Sequence, residues 1–190
     1  MTDTVPASII VATSVVDAIA HEAQASRDGT ETGGILLGTT AGSSLVVRHA
    51  GGPGRHATRR PTFFQRDLNH AQALGDWAFE QDRSVWVGEW HTHLAAPAAP
   101  SPRDLATYQG LLADPELAFD FFLAIILADP TKEWAQAQIA TWLITPSENR
   151  VAITEITPNH KTVALRWLNP RSTYEWLSEA ANHDKPCDRS

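Results

Sequence analysis

Apolar residues along this chain switch between helical spacing and strand-like alternation, and the switches divide it into elements. After a short apolar segment, Ser8 to Ala12, the stretch Thr13 to Ser26 carries Val15, Val16, Ile19, Ala20 and Ala23. That spacing predicts an amphipathic helix with Thr13 or Ser14 as its cap. Arg27-Asp28-Gly29 breaks it, and Gly33 to Gly38 followed by Ser44 to Ala50 reads as two strands around a Thr-Ala-Gly-Ser turn. Glu31 therefore stands at the mouth of a strand. Residues 51 to 62 hold three Gly, two Pro and three Arg without periodicity and read as a loop, the kind of segment that often borders a site.

Helical spacing returns from Arg66 to Asp82 through Leu68, Ala71, Leu74, Trp77 and Ala78, and Ser84 to His91 then alternates like a strand. Leu94 to Pro100 is an Ala/Pro linker, and Ser101-Pro102-Arg103-Asp104 has the form of a helix start, with Ser as cap and Pro in the first turn, for a helix reaching about Ala113. Phe119 to Ala128, Trp134 to Thr145 and Arg150 to Thr157 read as three strands. The first is nearly all apolar and so is expected at the centre of a sheet. Beyond Pro170, Ser172 to Ala181 reads as a final amphipathic helix. The mixed order of helices and strands is that of one α/β domain.

Composition narrows the choice of function. The 190 residues are 43% hydrophobic with seven Trp, enough for a sizeable core. Fifteen Lys and Arg against 22 Asp and Glu give a net charge of −7, and the scattered cations lack the footprint of a nucleic-acid binder. The single cysteine, Cys187, excludes an internal disulfide and a Cys-rich metal site. No stretch reads as a secretory signal, and the longest apolar run, Phe121 to Ala128, falls well short of the ~20 residues of a membrane helix. These features predict a cytoplasmic protein without membrane or nucleic-acid partners.

The chemistry lies in His91 and His93. Two apart on a strand, they leave the same face, and Asp104 in the first turn of the next helix can add a carboxylate oxygen to their two nitrogens. Three such ligands suit zinc, which prefers four in a tetrahedron and at catalytic sites keeps the last position open. Amide hydrolysis also calls for a carboxylate that is not a ligand, and Glu31 is the candidate. Spacing alone does not bring Glu31 there. Each residue also has a plainer reading: His-Thr-His as half-buried strand, Ser101 and Asp104 as helix cap and dipole partner, Glu31 as a solvated loop carboxylate. An Asp bound to zinc is expected not to be free to complete a capping box. The remaining histidines, His21, His49, His56, His70, His160 and His183, show no ligand spacing and read as structural or exposed.

The run Glu31-Thr-Gly-Gly-Ile-Leu-Leu-Gly38, then Gly88-Glu-Trp-His91-Thr-His93, and after the linker Ser101-Pro-Arg-Asp104, resembles the JAMM (JAB/MPN) zinc isopeptidase family. Its pattern of Glu followed by His-x-His-x7-Ser-x2-Asp is matched at every position, across about residues 8 to 157. The resemblance implies an α/β fold: an α/β/α sandwich of the cytidine-deaminase-like type, with a curved mixed sheet flanked by helices. It implies one catalytic domain over 1–190, with a core of about 8–157 and a C-terminal helical extension over 158–190. It also implies one Zn2+ per chain on His91, His93 and Asp104, with Glu31 holding and deprotonating water and Ser101 hydrogen-bonding the oxyanion.

Deaminase activity itself is excluded by the lack of Pro-Cys-x-x-Cys ligands. Leu94 stands where the family commonly has Pro, which is expected to alter loop rigidity without loss of metal. The implied activity is hydrolysis after the C-terminal Gly of a ubiquitin-like protein. The bacterial branch of the family, which the Gly-Glu-Trp-His run resembles, accompanies E1-like and E2-like conjugation proteins, including those of antiphage defence. A sulfur-carrier-like protein is an alternative partner with a Gly-terminated tail. An inactive MPN scaffold is the other alternative, and the complete ligand set argues against it. An extended tail is expected to pair with the edge of the strand carrying His91 and His93.

Overall fold

A computed structural model describes residues 5–128, 138–147, 150–156 and 164–167. In chain order the elements are β1 (Ser8–Val11), α1 (Thr13–Ala25), β2 (Gly33–Ala41), β3 (Ser44–Ala50), β4 (Thr58–Arg60), β5 (Phe63–Gln65), α2 (Leu68–Asp82), β6 (Val85–His93), α3 (Pro102–Ala113), β7 (Phe122–Ala128), β8 (Gln138–Ser147), β9 (Arg150–Ile156) and β10 (Ala164–Trp167). Eight strands form one mixed sheet in the order β10-β1-β3-β2-β6-β7-β8-β9, with β4 and β5 paired separately.

Alternation along the central strands sorts the core into two layers. Leu36 of β2 and Leu123, Ile125 and Leu127 of β7 pack with Val15, Ile19 and Ala23 of α1. On the opposite face Ile35 and Leu37 meet Ala78 of α2, while Phe122 and Ala124 meet Tyr108 of α3. One helix on one side and two on the other make the expected α/β/α sandwich. β7 is buried along its whole length between parallel β6 and antiparallel β8, which is why its sequence is a continuous apolar run.

Three expectations are revised. Residues 51 to 62 are not loop throughout: Thr58–Arg60 is a strand that pairs antiparallel with Phe63–Gln65 across Pro61 and Thr62. The stretch expected as a helical extension contributes β10, which lies parallel to β1 at the sheet's end. The strand carrying the two histidines is not an edge, because β6 is hydrogen-bonded to β2 on one side and β7 on the other. The helix read at Ser172 to Ala181, Trp134 and Cys187 lie outside the described residues. No helix among the described residues is long and apolar enough to cross a membrane.

Candidate metal centre and its cleft

Strand alternation sends Glu89, His91 and His93 of β6 toward the α2 and α3 face. Both imidazoles are buried, and their Nε2 atoms lie 3.1 Å apart. His93 Nδ1 donates to the Pro97 carbonyl at 2.8 Å, a bond that leaves the Nε2 lone pair free to point inward. The linker supplying that carbonyl is itself tied down, since Trp142 Nε1 of β8 donates to the Ala98 carbonyl at 2.8 Å.

Asp104 arrives from the first turn of α3. Its backbone N–H donates to Ser101 Oγ at 3.2 Å, and its Oδ2 accepts the Ser101 N–H at 2.7 Å, so the capping box is complete. That same Oδ2 lies 3.6 Å from His91 Nε2 and 3.5 Å from His93 Nε2. The expected conflict between capping and facing a metal therefore does not arise: one carboxylate oxygen has lone pairs for both directions. The cap orients Asp104 toward the histidines.

Charge states follow from this packing. Burial opposes ionisation of Asp104, yet hydrogen bonds to His91 and His93, their charge, and Ser101 hold its carboxyl far below the usual range. Burial likewise opposes protonation of His93, but Asp104, the Pro97 carbonyl and Glu31 outweigh it and raise His93 above its ordinary value. Two imidazole nitrogens and a carboxylate oxygen aimed at one point repel each other unless protons or a metal ion sit between them. Their separations of 3.1, 3.5 and 3.6 Å are close to the edges of a tetrahedron, which are roughly 3.3–3.6 Å when metal bonds are ~2.0–2.2 Å. Among the described residues, His91, His93 and Asp104 form the group able to hold a metal ion, and zinc suits its two nitrogens and one oxygen.

Glu31, Ser101 and these three residues line a single cleft of about 800 Å³. Glu31 sits just before β2, where its N–H donates to the Arg60 carbonyl of β4 at 2.9 Å and its own carbonyl accepts Arg59 Nε at 3.1 Å. The next glycine makes this approach possible: a Cβ on Gly33 would collide with the Trp90 carbonyl, Phe64 and His91. Burial pushes the Glu31 carboxyl above its ordinary value, against the pull of His93 and His91. A carboxylate poised upward in this way is better matched to proton transfer near neutral pH than an ordinary one. Phe63, Phe64 and Gln65 of β5 form part of the cleft wall, with Ala95 and Ala96 of the linker also lining it.

Set beside known proteins, residues 12–145 match the family model described as prokaryotic homologs of the JAB domain. The chain belongs to that family. Proteins named CD-NTase/cGAS isopeptidase are similar to this JAB domain. That of Escherichia coli (strain TW11681) is 32% identical over 109 residues, covering 55% of this chain and 69% of its own length. That of Pseudomonas aeruginosa (strain BWHPSA011 / Pa011) is 33% identical over 102 residues, covering 53% of this chain and 65% of its own. The match to a third, from Vibrio cholerae, is 34% identical but covers only 49% of that relative. In fold, the JAB domain resembles a Desulfitobacterium hafniense protein known from a solution structure, with a TM-score of 0.57 at 19% identity over 86% of this chain and 97% of that one.

Two residues of the JAB cleft escaped the sequence reading. Glu89 Oε1 lies 3.7 Å from His91 Nδ1, and its Oε2 accepts Arg66 Nη2 at 2.8 Å. Arg66 in turn covers the Trp86 ring, with its guanidinium carbon 5.1 Å from the ring centre. Strand periodicity held the signal for Glu89, which is two residues before His91 and so shares its face. Nothing local marked Arg66, which reaches the cleft from the turn before α2.

Proposed function

We propose that this chain is a single-domain, zinc-dependent isopeptidase that cleaves the bond after the C-terminal Gly of a ubiquitin-like modifier. The observation that carries the reading is the convergence of His91 Nε2, His93 Nε2 and Asp104 Oδ2 at tetrahedral spacing, in a cleft that also presents Glu31. Family membership supports it. The relatives' name, CD-NTase/cGAS isopeptidase, supports a target of the CD-NTase/cGAS type, and the setting proposed here is the cytoplasm.

Zinc bound at the three ligands would supply Lewis acidity to activate water and polarise the scissile carbonyl. The chain's own groups do the rest. Glu31, kept from ready ionisation by burial, takes the water proton and can return it to the leaving amine. Ser101 accepts the Asp104 N–H in the cap through its hydroxyl oxygen, and its O–H, turning from the Asp104 carboxylate, would donate to the developing oxyanion. The Arg66–Glu89 pair steadies the face of β6 that carries His91. An extended tail has a place to lie along β5, which among the described strands pairs with β4 alone and lines the cleft. Gly at the tail's end would bring the scissile bond close to the three ligands with no side chain in the way.

The test uses linear fusions of a ubiquitin-like protein, ending in Gly, to a CD-NTase. The zinc-loaded chain is expected to release the folded modifier at that Gly, with activity abolished by chelation and restored by zinc. Equal cleavage of the bare tail peptide, or activity that survives removal of metal, would overturn the proposal. Cleavage of a sulfur-carrier fusion in preference to the modifier fusion would reassign the partner.

A further inference from the structure

His91 and His93 face the cleft, so the residue between them, Thr92, faces the other way, toward α1, and is 1% exposed. β2 and β6 pair from Gly33 opposite His91 onward, with a register shift between Leu36 and Leu37, and before Gly33 the chain must leave the sheet to carry Glu31 to the cleft. Leaving a buried ladder strands backbone groups, at a cost comparable to a lost hydrogen bond. Here the stranded group is caught. The Thr92 N–H still donates to the Thr32 carbonyl at 2.9 Å, but the Thr32 N–H donates to the side-chain Oγ1 of Thr92, at 3.0 Å, in place of a backbone carbonyl.

The other end of Thr32 is held as well. Its Oγ1 donates to Glu22 Oε1 of α1 at 3.1 Å, and Ser26 Oγ, at the end of the same helix, donates to that oxygen at 2.7 Å. Thr32 is itself 1% exposed. A continuous chain of bonds thus runs from α1 through Thr32 to the centre of the His91-Thr92-His93 triplet. It ends on the residue next to Glu31 and on the residue between the two histidines. Beside it, the Gly33–His91 pair of the β2–β6 ladder joins the same two sequence-distant parts of the site through the backbone.

We propose that the Thr92 hydroxyl, backed by Glu22, is a positioning device that fixes Glu31 relative to the histidine pair. It acts through the Thr32 backbone and touches neither metal nor substrate. The inference rests on the isopeptidase reading for its effect on turnover, but its geometric half stands apart from that reading. Valine is the decisive replacement, because it keeps the shape and β-branching of threonine and deletes only the hydroxyl. Serine keeps the hydroxyl and deletes the methyl.

The experiment compares Thr92→Val, Thr92→Ser and Glu22→Gln in the full zinc-loaded chain, using the modifier fusion as substrate and following amide hydrogen exchange at Thr32. Thr92→Val is expected to lower kcat about tenfold or more, because a small misplacement of a reacting group is costly. Zinc content should be unchanged, and KM should stay within roughly twofold. Its Thr32 amide should exchange about tenfold faster, as a net hydrogen bond is lost. Thr92→Ser should recover most of both, and Glu22→Gln should fall between. If Thr92→Val lowers only the melting temperature, with kcat and Thr32 exchange as in the wild type, the hydroxyl is merely structural and the proposal fails. Should the wild type cleave no fusion at all, the isopeptidase reading falls. Exchange at Thr32 then decides the inference alone: faster in Thr92→Val and slow again in Thr92→Ser supports it, and no difference overturns it.

Discussion

At the end of β3, His49 Nε2 meets Asp82 Oδ2 at 3.0 Å, Arg48 approaches the same oxygen at 3.6 Å, and the Ser84 N–H donates to Asp82 Oδ1 at 3.0 Å. Trp77 stands edge-on to the His49 ring. This cluster has the same ingredients as the one at the cleft, a histidine and an aspartate near an arginine, yet here His49, Arg48 and the Ser84 N–H all bring nitrogens to the Asp82 carboxylate, a partner of opposite character. At His91, His93 and Asp104 three atoms able to serve as metal ligands instead converge on one point. Burial is deeper there too, with His91 and His93 at 5% and 4% exposure. Pairing with one carboxylate is what a structural histidine needs, whereas convergence of three ligand-type atoms is what a metal site requires.

The sharpest way to break this contrast is to delete one aspartate from each cluster. Asp104→Ala should lose stoichiometric zinc, an effect well beyond the roughly 10–100-fold in affinity that loss of an outer partner costs. Asp82→Ala should keep full zinc and lower the melting temperature by about 2–4 °C, as removal of a partly exposed pair worth up to ~1 kcal/mol would in a chain of this size. Metal analysis and thermal melts read both. Undiminished zinc in Asp104→Ala would show that the convergence is not a metal site.

Within the cleft, Glu31 separates ligand from base. Glu31→Gln should retain zinc while kcat falls by roughly 10²–10⁴, the usual contribution of a positioned general base. Its melting temperature should hold or rise, because burial disfavours the ionised carboxylate that the substitution removes. Turnover at the wild-type rate would take Glu31 out of the mechanism, and loss of zinc would make it a ligand.

How far these features could be read in advance depended on their range along the chain. The start of α3 was legible because Ser101, Pro102 and Asp104 act within one turn. The shared face of His91 and His93 was legible because a strand has period two. The β4–β5 hairpin was not: its strands are three residues long, and a segment dense in Gly, Pro and Arg hides Phe63 and Phe64 at its margin. The position of β6 inside the sheet was hidden for another reason, since alternation reports which face is buried and says nothing of lateral neighbours. Glu31 could be named from its motif, but its place over the histidines depends on Gly33, Thr32 and Thr92, and those bonds span sixty residues of sequence.

A smaller effect tests the charge states that distinguish the two clusters. In the metal-free chain His93 has a raised folded value, so its contribution to stability is fully present below the ordinary histidine value of ~6.5 and is lost as pH climbs through the raised one. Glu31, also raised, acts in the same direction, because its ionised form is penalised by burial. Asp104, strongly depressed, contributes throughout this range and weakens only in strong acid. The stripped chain should therefore lose stability from about pH 6 to about pH 8, by a shift of a few degrees, given that ~1 kcal/mol moves a domain of this size by about 2–4 °C. Zinc reverses the sign, since metal and protons compete for the same imidazole nitrogens and binding tightens as pH rises. The gap between melting temperatures of zinc-loaded and chelator-stripped chain should widen steadily across that window, and in Asp104→Ala it should close. Parallel curves for loaded and stripped wild type would mean that protons and metal do not share the site, and the cleft cluster would then be no different in kind from His49 and Asp82.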